Sequence, residues 1–248
     1  MKVTPIKTPV IRVSQCNLTA LLAEAVKEIP ESSVLAITSK IVSLCEGSAV
    51  SCQEGDKDLI IRREADYYLP KRGNKYDVYL TIKHNMLIPN AGVDESNTGG
   101  LFVLWPRDPQ ASANGCWKFL KERFRRRKIG VMITDSTSAP LRWGTTGKCI
   151  AYCGFKGVNS KIGESDLFGR KLRMTRINVA DGLAAAAVVC MGEADEQTPL
   201  ALLEDLPFVE FCGSPPSMEE LDGLHIEMED DLYGQLIANA SWRRYKKD

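Results

Sequence analysis

The chain has 248 residues, 44% of them hydrophobic, and its 32 Lys+Arg are matched by 32 Asp+Glu. Such a length buries a substantial core in one large unit or two intimately packed ones, and the zero net charge leaves no long-range field to draw in nucleic acid or an anionic membrane. No apolar run approaches the roughly 20 residues that span a bilayer, and the stretch from Met1 to Val13 lacks the apolar core and cleavage site of a secretory signal, so a cytoplasmic location is expected.

Leu18 to Ile29 carries Leu21, Leu22, Ala25 and Val26 at helical spacing behind Asn17, which suits an N-cap, and Pro30 ends the run. Val34 to Thr38 reads as a short buried strand that leads through a polar elbow, Ser39-Lys40, into a second helix. Val78, Leu80 and Ile82 alternate with Tyr79 and Thr81, and Met86 to Ile88 with the turn-prone Pro89 to Gly92 follow, which predicts a hairpin or paired strands. Phe102 to Trp105 is a further apolar run closed by Pro106. Ala111 to Arg127 is helical, with Trp117, Leu120 and Phe124 on one face, and Ile129 to Thr134 is the next strand. The basic run Arg125 to Lys128 falls at that helix end, where cations complement the carbonyl dipole, and without interleaved aromatics it does not read as a nucleic-acid site. Ala180 to Met191 forms a closely packed helix stopped by Gly192, and Pro199, Pro207, Pro215 and Pro216 break the remainder into short elements. The expected fold class is α+β, with short strands and helices that do not alternate regularly enough for a doubly wound parallel sheet. Eight cysteines include no CxxC pair and no His or Cys cluster that would hold zinc, so most are read as small buried thiols.

Neither GxxxxGK[ST] nor GxGxxG occurs, and Gly144-Thr145-Thr146-Gly147-Lys148 has the wrong spacing for a phosphate loop. Polar residues at the ends of apolar strands remain: Ser39-Lys40, Asp94-Glu95-Ser96-Asn97 and Asp135-Ser136. Carboxylate and hydroxyl oxygens suit hard magnesium or manganese ions that share phosphate oxygens, while the same residue types serve constantly as caps and turn formers. Composition and spacing leave both readings open.

Several segments, in order and at matching spacing, resemble the coenzyme F420-0:L-glutamate ligase family. They are PVIR from Pro9, TSKIVSLCEG from Thr38, HNMLIPNAGVDESNTGG ending at Gly100, DPQASA from Asp108, ITDS at Ile133 to Ser136 with RWGTTG after it, DLFGRKLRMTRINVADGLAAAA from Asp166, and MGEAD from Met191. The resemblance covers most of residues 9 to 203 and implies one γ-glutamyl ligase unit over residues 1–248, without a P-loop or Rossmann motif, that assembles as a homodimer. It implies that Asp94, Asp135, Ser136 and Glu193 coordinate two Mg2+ or Mn2+ ions. It further implies that GTP (or ATP) lies against Pro9, Val10, Ile11, Arg12, Ser39, Lys40, Asn97 and the stretch Met191, Gly192, Glu193, Ala194, Asp195, Glu196, Gln197 and Thr198. Lys40, Asp94 and Asp135 are the expected catalytic residues. The substrates implied are L-glutamate and a small carboxylate acceptor, either the deazaflavin precursor or a folate, with neither nucleic acid nor membrane as partner. Amide formation needs an activated carboxylate, and an acyl phosphate supplies it, with Lys40 neutralising phosphate. Arg142, Lys148, Arg170 and Arg173 are available cations for the substrate carboxylates. His84 beside an apolar run is read as structural, and no general base is assigned. Two departures from the family pattern stand out: Leu44 where the family carries a second phosphate-contacting lysine, and Ser138-Ala139-Pro140-Leu141-Arg142 in place of GRPWR. Leu44 keeps a different class of function in view, a non-catalytic nucleotide sensor.

Overall fold

The computed structural model describes residues 1–71 and 75–246. Its main sheet is built from widely separated pieces of chain: β1 (Lys2–Ile6) and, after helix α1 (Leu18–Ala25), strand β2 (Ser33–Thr38), which runs straight into helix α2 (Ser39–Glu46). A smaller region follows, with β3 (Ala49–Ser51), α3 (Lys57–Glu64), β4 (Tyr67–Tyr68), the hairpin β5 (Leu80–Lys83) and β6 (Met86–Pro89), and β7 (Leu101–Val103). Helix α4 (Pro109–Phe124) returns the chain to β8 (Ile129–Ser138) and β9 (Thr145–Cys153). After the arm formed by β10 (Val158–Ser160) and β11 (Arg176–Asn178) come α5 (Val179–Met191), β12 (Leu200–Glu204) and two short helices, α6 (Met218–Asp222) and α7 (Gly234–Ile237).

The main sheet has the order β1-β12-β2-β8-β9, in which β2 and β8 are parallel and every other pair is antiparallel. Both faces are covered, which is why Val34 to Ile37 reads as a continuous apolar run rather than an alternating one. On one face, Leu22 and Val26 together with Trp117 and Leu120 of α4 pack on Leu35, Ile37, Val131 and Ile133. On the other, Ala180, Leu183, Ala184 and Ala187 of α5 pack on Val34, Ala36, Met132 and Ala201. A separate small core of Ile61, Tyr79, Ala91, Val93 and Phe102 lies under the β4-β5-β6 sheet. Among the described residues no helix is long and apolar enough to cross a membrane.

Alanines on α5 let it approach β9 closely. A Cβ placed on Gly147 would lie 2.2 Å from the Ala184 carbonyl oxygen, a rigid backbone atom. Gly147→Ala is therefore expected to destabilise the fold by about 2–3 kcal/mol through overpacking, read as a drop in thermal midpoint.

The structure refines several expected boundaries. Helix α1 ends at Ala25, because the β-branched Val26 turns extended (φ −91°, ψ 107°) and carries the chain through the core to the buried Ile29. Helix α4 ends at Phe124, where Arg125 takes the left-handed conformation (φ 52°). The rest of the basic run anchors the next turn: Arg126 donates to the Ile29 carbonyl, and the backbone N–H groups of Arg127 and Lys128 donate to Glu31. Strand β8 continues past Thr134 to Ser138, so Asp135 and Ser136 lie within a strand and not beyond its end. The reading of most cysteines as buried is too broad: all eight are free thiols, but only Cys116, Cys149 and Cys153 are buried, and Cys190 is exposed.

Candidate active site

Strands β2 and β8 are paired in register, with Thr38 opposite Thr134, so their carboxyl ends open on the same edge of the sheet. Open sheets bind ligands at such an edge. Leu200 at the start of β12 pairs with Ile37, which brings the segment from Met191 to Pro199 to that edge as well. The Thr8 N–H donates to the Gln197 carbonyl and the Thr38 N–H to the Pro199 carbonyl, tying these walls together. A cleft of about 590 Å³ results. It is lined by Pro9, Val10 and Ile11, by Ser39 and Lys40, by Asp94 and Asn97, by Asp135 and Ser136, and by every residue from Met191 to Thr198. Of the residues expected to hold nucleotide or metal, Arg12 stays outside: it is exposed, and its carbonyl accepts from the Gln15 N–H.

A register shift between Ile133 and Thr134 in the β8–β9 ladder precedes Asp135, and such irregularities re-aim the side chains that follow. Asp135 accepts from the Trp105 indole N–H at 2.5 Å, from the Ser39 hydroxyl and from the Ser136 backbone. Burial pushes its carboxyl up to about 6 despite these donors, and the nearby Asp94 carboxylate adds to the rise. Asp94 behaves oppositely. Burial alone would raise it, but the Lys40 ammonium 2.7 Å away, with donors from Ser96, holds it below the usual carboxylate range. Lys40 also donates to the Ser96 carbonyl and hydroxyl. Across the cleft, the Ser136 hydroxyl donates to Glu193 at 2.5 Å, and the Asn97 amide donates to the Ala194 carbonyl at 2.7 Å. Gly192 ends α5 with φ 82°, and the Glu196 carboxylate accepts from the Ala194 N–H.

Two kinds of chemistry suit this arrangement. Thr38, at the N-cap of α2, makes no side-chain capping bond, so the first-turn N–H groups and Lys40 form a cationic corner fit for phosphate. The oxygen set of Asp94, Asp135, Ser136 and Glu193 fits hard divalent cations, and the Lys40 ammonium already sits on Asp94 as a cation would. Among the described residues no three of His, Cys, Asp and Glu converge on one point. The donors therefore suit ions held by one or two carboxylates each and completed by phosphate oxygens and water, the habit of magnesium.

The cations named for substrate carboxylates do not reach the cleft. Lys148 pairs with Asp181 at 2.7 Å, while Arg142, Arg170 and Arg173 are exposed outside it. Leu44 does line it, packed with Leu21, Ile41 and Val103. His84 lies outside the lining and stacks on Trp105, with burial and the neighbouring Lys83 lowering its pKa. Trp105 itself was legible only as the end of an apolar run; the signal for more was its indole N–H, which a buried tryptophan normally directs to a partner.

Residues 5–205 match the model of the F420-0:Gamma-glutamyl ligase family. The chain belongs to this family. It is 34% identical over 216 residues to the coenzyme F420:L-glutamate ligase of Methanococcus maripaludis (strain C6), a match covering 77% of this chain and 85% of that one. A ligase of the same name from Methanothermobacter thermautotrophicus is 33% identical over 213 residues, 75% of this chain and 80% of the relative. That of Methanopyrus kandleri is 33% identical over 225 residues, 84% of each. The family match begins within β1, takes in the rest of the main sheet and the whole cleft, and ends just past β12.

Proposed function

We propose that this chain is a GTP-dependent γ-glutamyl ligase that joins L-glutamate to a small carboxylate acceptor of the coenzyme F420-0 type. The observation that supports this most directly is the gathering of Lys40, Asp94, Asp135, Ser136 and Glu193 around one cleft, beside the open N-terminus of α2. The acceptor carboxylate attacks the γ-phosphorus of the nucleotide, the nucleoside diphosphate leaves, and an acyl phosphate forms. The glutamate amine then attacks the acyl carbon, inorganic phosphate leaves, and the nitrogen gives up a proton. Lys40 and the α2 N–H groups neutralise phosphate, and Asn97 fixes the wall against which the nucleotide lies. Two Mg2+ or Mn2+ ions, held by Asp94, Asp135, Ser136 and Glu193, would offset the charge that accumulates on the phosphates.

Phosphate release by purified protein with GTP or ATP, manganese and L-glutamate tests this reading, with the deazaflavin precursor and a folate acceptor run in parallel. Turnover with the deazaflavin precursor, absent from Asp135→Ala, is the expected result. Turnover with folate alone would reassign the acceptor, and tight nucleotide binding without turnover on any acceptor would replace the ligase by a sensor.

A homodimer belongs to the same proposal. Leu167, Phe168 and Met174 on the β10–β11 arm and Leu141 and Trp143 at the β8–β9 turn are almost fully exposed, a density of apolar side chains that favours an interface.

A further inference from the structure

The side chain that the ligase chemistry leaves unused, yet that bonds directly to a carboxylate of the cleft, is Trp105. It is 3% exposed, and its indole is fixed on every side. The His84 ring stacks parallel to it, 8° between planes and 6.0 Å between centroids. The Lys83 ammonium lies 5.4 Å from the indole centroid and is itself held by Glu64 at 2.7 Å. Gly92, at φ +73°, packs so tightly on the indole edge that a Cβ there would fall 2.0 Å from Nε1. Filling this volume with apolar surface would need no N–H, but the one polar atom of the ring is spent on Asp135, at 2.5 Å.

The position of Trp105 in the chain adds a second, independent observation. Two residues earlier, Val103 exchanges both backbone hydrogen bonds with Asp94, N–H to carbonyl at 3.0 and 2.8 Å. A single short segment therefore holds the main chain of Asp94 through the backbone of Val103 and the carboxylate of Asp135 through the indole of Trp105, which ties the placement of the two aspartates to one piece of chain. We infer that Trp105 is a positioning residue for the metal-binding carboxylates: its N–H occupies one oxygen of Asp135 and turns the other toward the cleft, while Val103 of the same segment holds the main chain of Asp94. This rests on the ligase reading above, in which both carboxylates hold metal. Partners of metal ligands typically matter by 10–100-fold in affinity.

The test is Mn2+ titrated alone into the purified protein, with free ion read by electron paramagnetic resonance. Trp105→Phe is compared with Trp117→Phe, which removes another buried indole whose N–H goes to the Ile129 carbonyl at 2.9 Å, within the α4 core. Trp105→Phe is expected to weaken Mn2+ binding ~10–100-fold, while Trp117→Phe lowers thermal stability and leaves Mn2+ affinity within about twofold. Equal Mn2+ affinity in Trp105→Phe and the unaltered protein, or equal losses in the two tryptophan variants, would overturn the inference. Should Trp105→Phe fail to fold, His84→Ala keeps the N–H but loosens the indole, and a loss of about threefold or more is then expected, no loss being the contrary result. Absence of Mn2+ binding by the unaltered protein would instead remove the metal assignment of the proposed ligase, a separate failure.

Discussion

Asp135→Asn is expected to reduce ligation by about three orders of magnitude, roughly 4 kcal/mol of transition-state stabilisation, while making the metal-free protein more stable. The two effects share a cause. In the folded chain burial raises the Asp135 carboxyl to about 6, above its ordinary value near 4. The folded state therefore binds this proton more tightly than the unfolded one. Its contribution is unaffected below the ordinary value, turns unfavourable as pH rises from about 4 to about 6, and costs up to about 3 kcal/mol above that. Asparagine carries no charge at any pH and escapes that cost. Its thermal midpoint without metal is expected to exceed that of the unaltered protein at pH 7.5 by several degrees, with the difference closing toward pH 4. Calorimetry with a chelator across that range checks the stability half, and single-turnover phosphate release checks the activity half. A midpoint difference that does not change with pH would contradict the account given for Asp135.

The second large effect is expected at Lys40. Lys40→Met keeps the length and apolar stem of the side chain but removes the cation of the phosphate corner and the partner of Asp94. Turnover should fall ~10²–10³-fold and the nucleotide KM should rise, while α2, whose buried residues are Ser39, Ile41, Val42, Ser43 and Leu44, stays folded. Asp94 adds a pH signature. Its folded pKa lies below the ordinary value, so its ionised form contributes stability at neutral pH that is lost as acid takes the pH through that lowered value. Without Lys40, burial is opposed only by Ser96, and the acid transition of the variant should begin at higher pH. Arginine is not an equivalent replacement, because a planar fork cannot occupy the point between Asp94 and Ser96 that the ammonium fills.

Much of this site is legible in the sequence because it is made from short, contiguous pieces. The apolar strand ending in Thr38 and the polar elbow after it mark β2 and α2, and the turn-prone Pro89 to Gly92 marks the approach to Asp94. Each of these depends on local rules of burial and turn formation. The mixed class follows from the irregular spacing of elements, although the parallel register of β2 with β8, which creates the cleft, joins segments with 90 residues between Thr38 and Ile129 and leaves no local trace. The full length of β8 is hidden in the sequence because Asp135 to Ser138 is polar: these residues extend the strand through pairing with β9 and not through apolar burial. Arginines chosen for proximity to motifs prove to be exposed, since nearness in sequence says little about direction when a residue sits on a projecting arm. Trp105 illustrates the opposite limit. Apolar neighbours declare it a core residue, and only the three-dimensional position of Asp135 reveals what its single polar atom is for.

Strand β1 has a consequence for how the protein is made. Its neighbour in the sheet is β12, and Lys2 meets Glu204 across a separation of 202 residues. During synthesis β1 emerges long before its partner β12, and closing so long a loop carries an entropic cost that favours late formation. The wall of the cleft from Met191 to Thr198 arrives with β12, so a nascent chain halted before that point carries Asp94 and Asp135 without the opposite wall of the cleft. Completion of the cleft thus coincides with completion of the sheet.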